Sequence, residues 1–157
     1  MKTLGAEFSK CEQYRYRLWR SWGPGEQLVF IMLNPSTADD VVNDSTIDRC
    51  ERRAKDMGFG SLMVVNIFAL RSPYPKDLYT HKDPVGPEND RHIRKTVAAA
   101  GMVICGWGAH GKLNNRGRQV MDMILAIGVT PYYLKLNKDG SPGHPLYIGY
   151  DVKPKSF

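Results

Sequence analysis

The sequence predicts an α/β fold: a three-layer α/β/α sandwich with a mainly parallel central sheet and an N-terminal antiparallel hairpin. Two observations carry this. Apolar runs at Leu28–Leu33, Ser61–Leu70 and Met102–Cys105 are nearly continuous, as strands covered on both faces of a parallel sheet must be. Between them lie segments whose apolar residues recur at helical spacing, giving the order β-β-α-β-α-β-α-β. No linker composition or internal repeat divides the chain, so residues 1–157 are expected to form a single domain, one long enough to bury about two-thirds of its unfolded surface.

Each element has its own signal. Residues 13–20, QYRYRLWR, alternate strictly, which sets Tyr14, Tyr16 and Leu18 against Arg15, Arg17 and Trp19 as in a half-exposed strand. Gly23-Pro-Gly25 turns the chain into Leu28–Leu33, so these two strands are expected to pair as the hairpin. Asn43-Asp-Ser45 offers helix caps, Asp48 follows Ser45 as in a capping box, and Ile47, Cys50, Ala54 and Met57 form the apolar stripe up to Gly58. The strand at Ser61–Leu70 is interrupted only by Asn66, and Arg71-Ser-Pro-Tyr-Pro75 reads as a loop. A helix over Pro87–Ala100 leads to the strand Met102–Cys105. A helix over Arg116–Ile127, with Val120, Ile124 and Ile127 inward, leads to Tyr132–Leu136, after which Ser141–Pro145 breaks into a loop.

The totals narrow the class. Twenty-two Lys and Arg against sixteen Asp and Glu give a net charge of +6, which favours an anionic partner such as nucleic acid or a nucleotide. The basic residues cluster at Arg15–Arg20, Arg91–Lys95 and Lys112–Arg118. Cys11, Cys50 and Cys105 show no CxxC spacing, so reduced thiols are expected rather than a disulfide framework, and neither a bound metal nor a cofactor is indicated. No apolar run approaches the roughly 20 residues that cross a bilayer. The N-terminus lacks the apolar core of a signal peptide. A cytoplasmic monomer without membrane partners is the expectation.

Ligands of open α/β sheets bind outside the carboxyl ends of the strands. Asn34-Pro35-Ser36, Asn66, Trp107-Gly108 and Gly143-His144-Pro145 all fall at such ends, so four strands are expected to converge on one crevice. Asn34 alone suits an Asx-Pro turn that caps its loop. Asn66 is either tied to neighbouring backbone or turned to a polar ligand, because an unsatisfied buried amide costs about 1–3 kcal/mol. Trp107 is either a core aromatic or, between two glycines, a point of close backbone approach. His110 suits a helix start or the surface, whereas His144 sits in a stiff loop where an acid or electrostatic role is available. The chain has no P-loop and no GxSxG, no GxGxxG opening a helix, and Gly106-Trp-Gly is too short for a dinucleotide fingerprint. Asp39, Asp40, Asp44 and Asp48 match no EF-hand spacing and suit a helix-capping run.

The collinear segments MLNPS, LMVVNIFALRSPYP, VICGWGAHG and GHPLYIG resemble the uracil-DNA glycosylase superfamily over roughly residues 28–150. More closely, FIMLNPSTADDVVNDSTIDRC is similar to the bacterial and phage family called domain of unknown function 1643. The first resemblance implies a glycosylase-like fold in which Asn34 positions water, Asn66 reads the edge of a base, and His144 holds the departing base. Leu146 or Tyr147 would wedge the duplex, Pro35, Ser36 and Gly108 would line the pocket, and Trp107 or Phe68 would supply the stacking aromatic.

The expected function is therefore removal of uracil or a modified or mismatched base by N-glycosidic cleavage, with DNA as partner. Developing negative charge on the leaving base would be met by His144, and a few kcal/mol would go to flipping the base. Two alternatives keep the pocket: a nucleotide- or modified-base-binding protein without catalysis, and an enzyme on free nucleotides whose acidic flank recruits Mg²⁺.

Overall fold

A computed structural model describes residues 2–157. Seven strands form one sheet: β1 (Thr3–Phe8), β2 (Arg15–Ser21), β3 (Gln27–Met32), β4 (Ser61–Asn66), β5 (Met102–Cys105), β6 (Pro131–Tyr133) and β7 (Lys155–Ser156), in the spatial order β1-β2-β4-β3-β5-β6-β7. The four central strands, β4, β3, β5 and β6, are mutually parallel, and antiparallel pairs flank them on both sides.

The helices α1 (Ser45–Asp56), α2 (Lys76–Thr80), α3 (Asn89–Ala98) and α4 (Arg116–Ile127) complete a mixed α/β fold. Ile47, Cys50 and Ala54 of α1 pack with Phe30, Leu62 and Ile104 on one face of the sheet. On the other face, Ile93 and Val97 of α3 and Val120 and Ile124 of α4 pack with Ile31, Val65 and Val103. Neighbouring residues of each central strand thus enter opposite cores, which is why those strands are apolar throughout. Among the described residues no helix is long and apolar enough to cross a membrane.

Two details at the N-terminal end correct the sequence expectation. β2 and β3 do not pair, because β4 lies between them; the hairpin is made by β1 and β2. A sequence turn shows that the chain reverses, not that the reversed strands become neighbours. The alternation of residues 13–20 is also broken: the pairing passes from Glu7 opposite Arg17 to Phe8 opposite Arg15 and leaves Tyr16 over. Such a bulge shifts the side-chain phase by one residue. Tyr14 and Tyr16 therefore join one core while Leu18 joins the other, and Arg15 and Arg20 are buried instead of facing water.

Shorter differences follow from local chemistry. Asp44, not Ser45, caps α1, its Oδ1 accepting the Ile47 N–H at 2.9 Å. Asp48 accepts from Asn43 Nδ2, so the expected capping box does not form. The strand read over Ser61–Leu70 ends at Asn66; the loop expected over Arg71–Pro75 is present, and α2 follows it over residues to which no element was assigned.

Candidate functional site

β3 leads to α1 on one face of the sheet, and its neighbour β5 leads to α4 on the other. This divergence opens a crevice at the carboxyl ends of the strands. A cavity of about 200 Å³ lies there, lined by Asn34, Pro35 and Ser36 after β3, Asn66 of β4, His144, and on the α1 side Arg15, Asp44 and Thr46. Ser72, Pro73 and Pro75 close its remaining wall.

Asn34 is a structural tie as well as a lining residue. Its Nδ2 donates to the carbonyls of Ser72 at 2.9 Å and of Leu70 and Pro35 at 3.2 Å each. The Ser72 N–H returns a bond to the Pro35 carbonyl at 2.9 Å, stitching the loop after β3 to the loop after β4. Three carbonyls around one end of the amide set its orientation, since only the NH₂ end can donate. Oδ1 is left as an acceptor without a partner among the described residues.

Asn66 behaves differently. It is only 2% exposed, and the Nδ2 of its carboxamide is buried without a hydrogen-bond partner among the described residues. Its backbone carbonyl is taken by Asn89 Nδ2 at 2.9 Å, so backbone and side chain have separate fates. Of the two readings the sequence allowed, the one that ties this amide to neighbouring backbone does not hold.

His144 stands at the cavity rim and begins a short 3₁₀ turn at Pro145–Tyr147. The Leu146 N–H donates to its Nδ1 at 3.2 Å, so the neutral ring carries its hydrogen on Nε2. His144 is exposed at this rim, yet desolvation of its ring by the surrounding loops holds its pKa below the usual histidine range, against an opposing pull from Asp44. Gly106 lets this loop approach closely, because a Cβ there would lie 3.1 Å from Pro145 Cδ and 3.2 Å from the Gly143 carbonyl and push them back by a few tenths of an ångström.

Arg15 is the residue that sequence reasoning missed. The bulge at Tyr16 carries it inward, where Nη1 donates to the Ala38 carbonyl at 3.0 Å and Nε is buried without a partner. Burial pushes its pKa down to about 10, partly offset by Asp44 and reinforced by Arg71 and Arg20. Asp44, read from sequence as a helix cap, is the cavity's single carboxylate.

The expected four-way convergence holds for Asn34, Asn66 and His144 only. Trp107 is 6% exposed, packs in the α3/α4 core and, with Gly108, lines a different cavity of about 940 Å³. The α4 side draws the indole away because Gly111 and Gly117 leave room for it there. Phe68 is fully buried in the same core, so neither expected stacking aromatic lines the smaller cavity. Leu146 and Tyr147 line neither cavity, and Tyr147 is 89% exposed.

A family model described as a protein of unknown function, DUF1643, matches residues 15–146. The chain belongs to the DUF1643 family. The matched span runs from Arg15 to Leu146 and so contains every lining residue of the smaller cavity. No curated protein and no solved structure matches this DUF1643 chain.

The chemistry on offer can be stated from these groups. One wall presents an unpaired amide and an amide oxygen, the rim a neutral imidazole N–H, and the α1 side a buried cation with a carboxylate. Ser72 Oγ donates to Asp77, and no hydrogen bond joins a cavity hydroxyl to His144 among the described residues, so no activated serine is assembled. The acidic run does not gather: Asp39 accepts the Val41 and Val42 N–H groups, and among the described residues no cluster of three or more His, Cys, Asp or Glu is placed to hold a metal ion.

Proposed function

We propose that this DUF1643 protein recognises a single-ring nucleobase in the smaller cavity and hydrolyses the N-glycosidic bond that holds it. The observation that carries the reading is Asn66, an unpaired carboxamide in a cavity of about 200 Å³. A void of about 150 Å³ accommodates benzene, so this one suits a substituted six-membered ring and little more. A buried amide N–H without a partner is worth about 1–3 kcal/mol to any ligand edge that accepts from it.

The other groups take roles consistent with their geometry. Asn34 Oδ1 orients a water, and the Nε2–H of neutral His144 donates to the base oxygen on which negative charge develops as the bond breaks. DNA is the partner that the net charge of +6 favours, and the exposed ring of Tyr147, three residues from His144, is available as a wedge.

A second reading, ligand binding without turnover, is favoured by Asn34, whose NH₂ end is fully engaged by backbone and whose oxygen cannot take a proton from water. A cleavage screen decides between them. The protein is incubated with labelled oligonucleotides carrying uracil, hydroxymethyluracil or mismatches, and abasic sites are broken with alkali. Strand cutting by the wild type that is lost in Asn66→Ala supports hydrolysis. Intact strands beside a cut positive control overturn it and leave the binding reading, which calorimetry with free bases then tests.

A further inference from the structure

The larger cavity, about 940 Å³, lies on the α4 side of the Ser141–His144 segment, away from the base-sized cleft. Its volume is within the roughly 300–1,000 Å³ of sites that hold small ligands. At one end is the amino terminus of α4, which begins from Asn115 in a left-handed conformation with no side-chain cap; the Arg116 N–H is taken by the Gly111 and Leu113 carbonyls, which leaves the N–H groups of Gly117 and Arg118. The first N–H groups of a helix need partners from outside it, and they favour negative charge. Asn115, Gly117 and Arg118 of this terminus all line the cavity.

A separate feature points at a ligand. Trp107 is 6% exposed and lines the same cavity, yet its indole Nε1–H donates to nothing among the described residues. Its Nε1 is not sealed from solvent, so the N–H is open to an acceptor in the cavity. It lies beside the cavity-lining Gly111 and Gly117, where an added Cβ would come within 2.8 and 2.7 Å of it. Lys112 is exposed and in no ion pair among the described residues; Asp139, an ionised carboxylate on the same lining that feels the Lys112 charge, is turned onto the N–H and hydroxyl of Ser141. Arg118 is paired with Asp122 at 3.1 Å. Beyond the polar end the wall is apolar, with Met121, Leu125 and Phe157.

We propose that this cavity binds a mononucleotide, its phosphate on the α4 amino terminus, Lys112 and the Trp107 N–H, and its base against the apolar wall. The site is independent of the reaction assigned to the cleft.

Calorimetry with adenosine monophosphate, adenosine, inorganic phosphate and a short DNA duplex tests it, together with the indole N–H resonances of the protein. The monophosphate is expected to bind at least tenfold more tightly than either adenosine or phosphate and to move the Trp107 resonance. Lys112→Glu is expected to weaken it about tenfold, the loss of one charge-assisted contact, and Lys10→Glu, the same charge change at another exposed lysine, to leave it unaltered. Trp107→Phe keeps an aromatic ring in the core while removing the donor and part of the indole, so unfolding is measured beside it, and it is expected to weaken the monophosphate and not adenosine. No heat with any probe, equal affinity for nucleoside and nucleotide, binding of the duplex alone, or full binding by Lys112→Glu would each overturn the proposal.

Discussion

Leu146 gives its backbone N–H to Nδ1 of His144 at 3.2 Å, and this bond decides which ring nitrogen carries hydrogen. The neutral ring then presents Nε2–H as a fixed donor at the cavity rim, and Asp44 across the cavity sets how readily it gains a second proton.

Partial desolvation holds the His144 pKa low and Asp44 raises it, so the ring is expected to titrate below the usual value of about 6.5 in a histidine-resolved NMR titration. Asp44→Asn keeps a competent helix cap and removes the charge, and is expected to move the midpoint lower still. The stability consequence has a definite sign. The folded state binds its proton less readily than the unfolded chain, so stability falls as pH drops through the unfolded value and down to the folded one. His92, also lowered chiefly by burial, acts in the same direction, and stability is expected to be lost between neutral and mildly acid pH.

Asn66→Leu separates recognition from folding. An apolar side chain of similar size removes an amide whose Nδ2 is buried without a partner, so thermal unfolding is expected to show an unchanged or more stable protein, with a gain of up to about 1–3 kcal/mol. Base binding or cleavage is expected to fall at least tenfold. A destabilised variant would mean that the amide has a partner in solution.

How far these residues were legible differs with the kind of signal. The central strands and α1, α3 and α4 were readable because continuous apolar runs and helical spacing are local properties, and Asn34, Asn66 and His144 came with them as strand-end residues. The fate of Trp107 was not readable. Its position at the end of β5 is local, but its direction is set by the empty space over Gly111 and Gly117. Arg15 was hidden for a similar reason: one bulge at Tyr16 reverses the phase of the strand, and no residue of QYRYRLWR announces it. Strand order failed where it depended on β4, which enters between β2 and β3 only after α1 has formed the crossover.

Asn34 distinguishes a structural tie from a water-activating group. Asn34→Ala loses the donors to Leu70 and Ser72 and is expected to destabilise the protein by about 1–2 kcal/mol in denaturant unfolding. Asn34→Asp retains the shape but sets carboxylate oxygens against carbonyls now 2.9–3.2 Å from Nδ2, and is expected to be the worse of the two. An aspartate variant as stable as wild type would show that the loop re-forms around a water-activating carboxylate.

Arg15 gives the last prediction, because its charge is buried with little to balance it. The residue is 2% exposed and makes one side-chain hydrogen bond, to the Ala38 carbonyl, with no carboxylate in ion-pair range among the described residues. Its pKa, pushed down to about 10 by burial, remains far above neutral, so folded and unfolded chains are both charged at pH 7 and the whole burial cost is present there. Relief would come only as pH rises through that value, beyond working conditions. Arg15→Met removes the charge, fills similar space and leaves the Ala38 carbonyl without its donor, a loss of about 1 kcal/mol set against a larger desolvation penalty. The variant is expected to be about 1 kcal/mol more stable, which for a domain of this size is about 2–4 °C in Tm. A ligand that presents an oxygen to Arg15 reverses the comparison: wild type is expected to gain Tm on adding it and Arg15→Met to gain little. Equal ligand-induced shifts would show that the guanidinium takes no part in recognition.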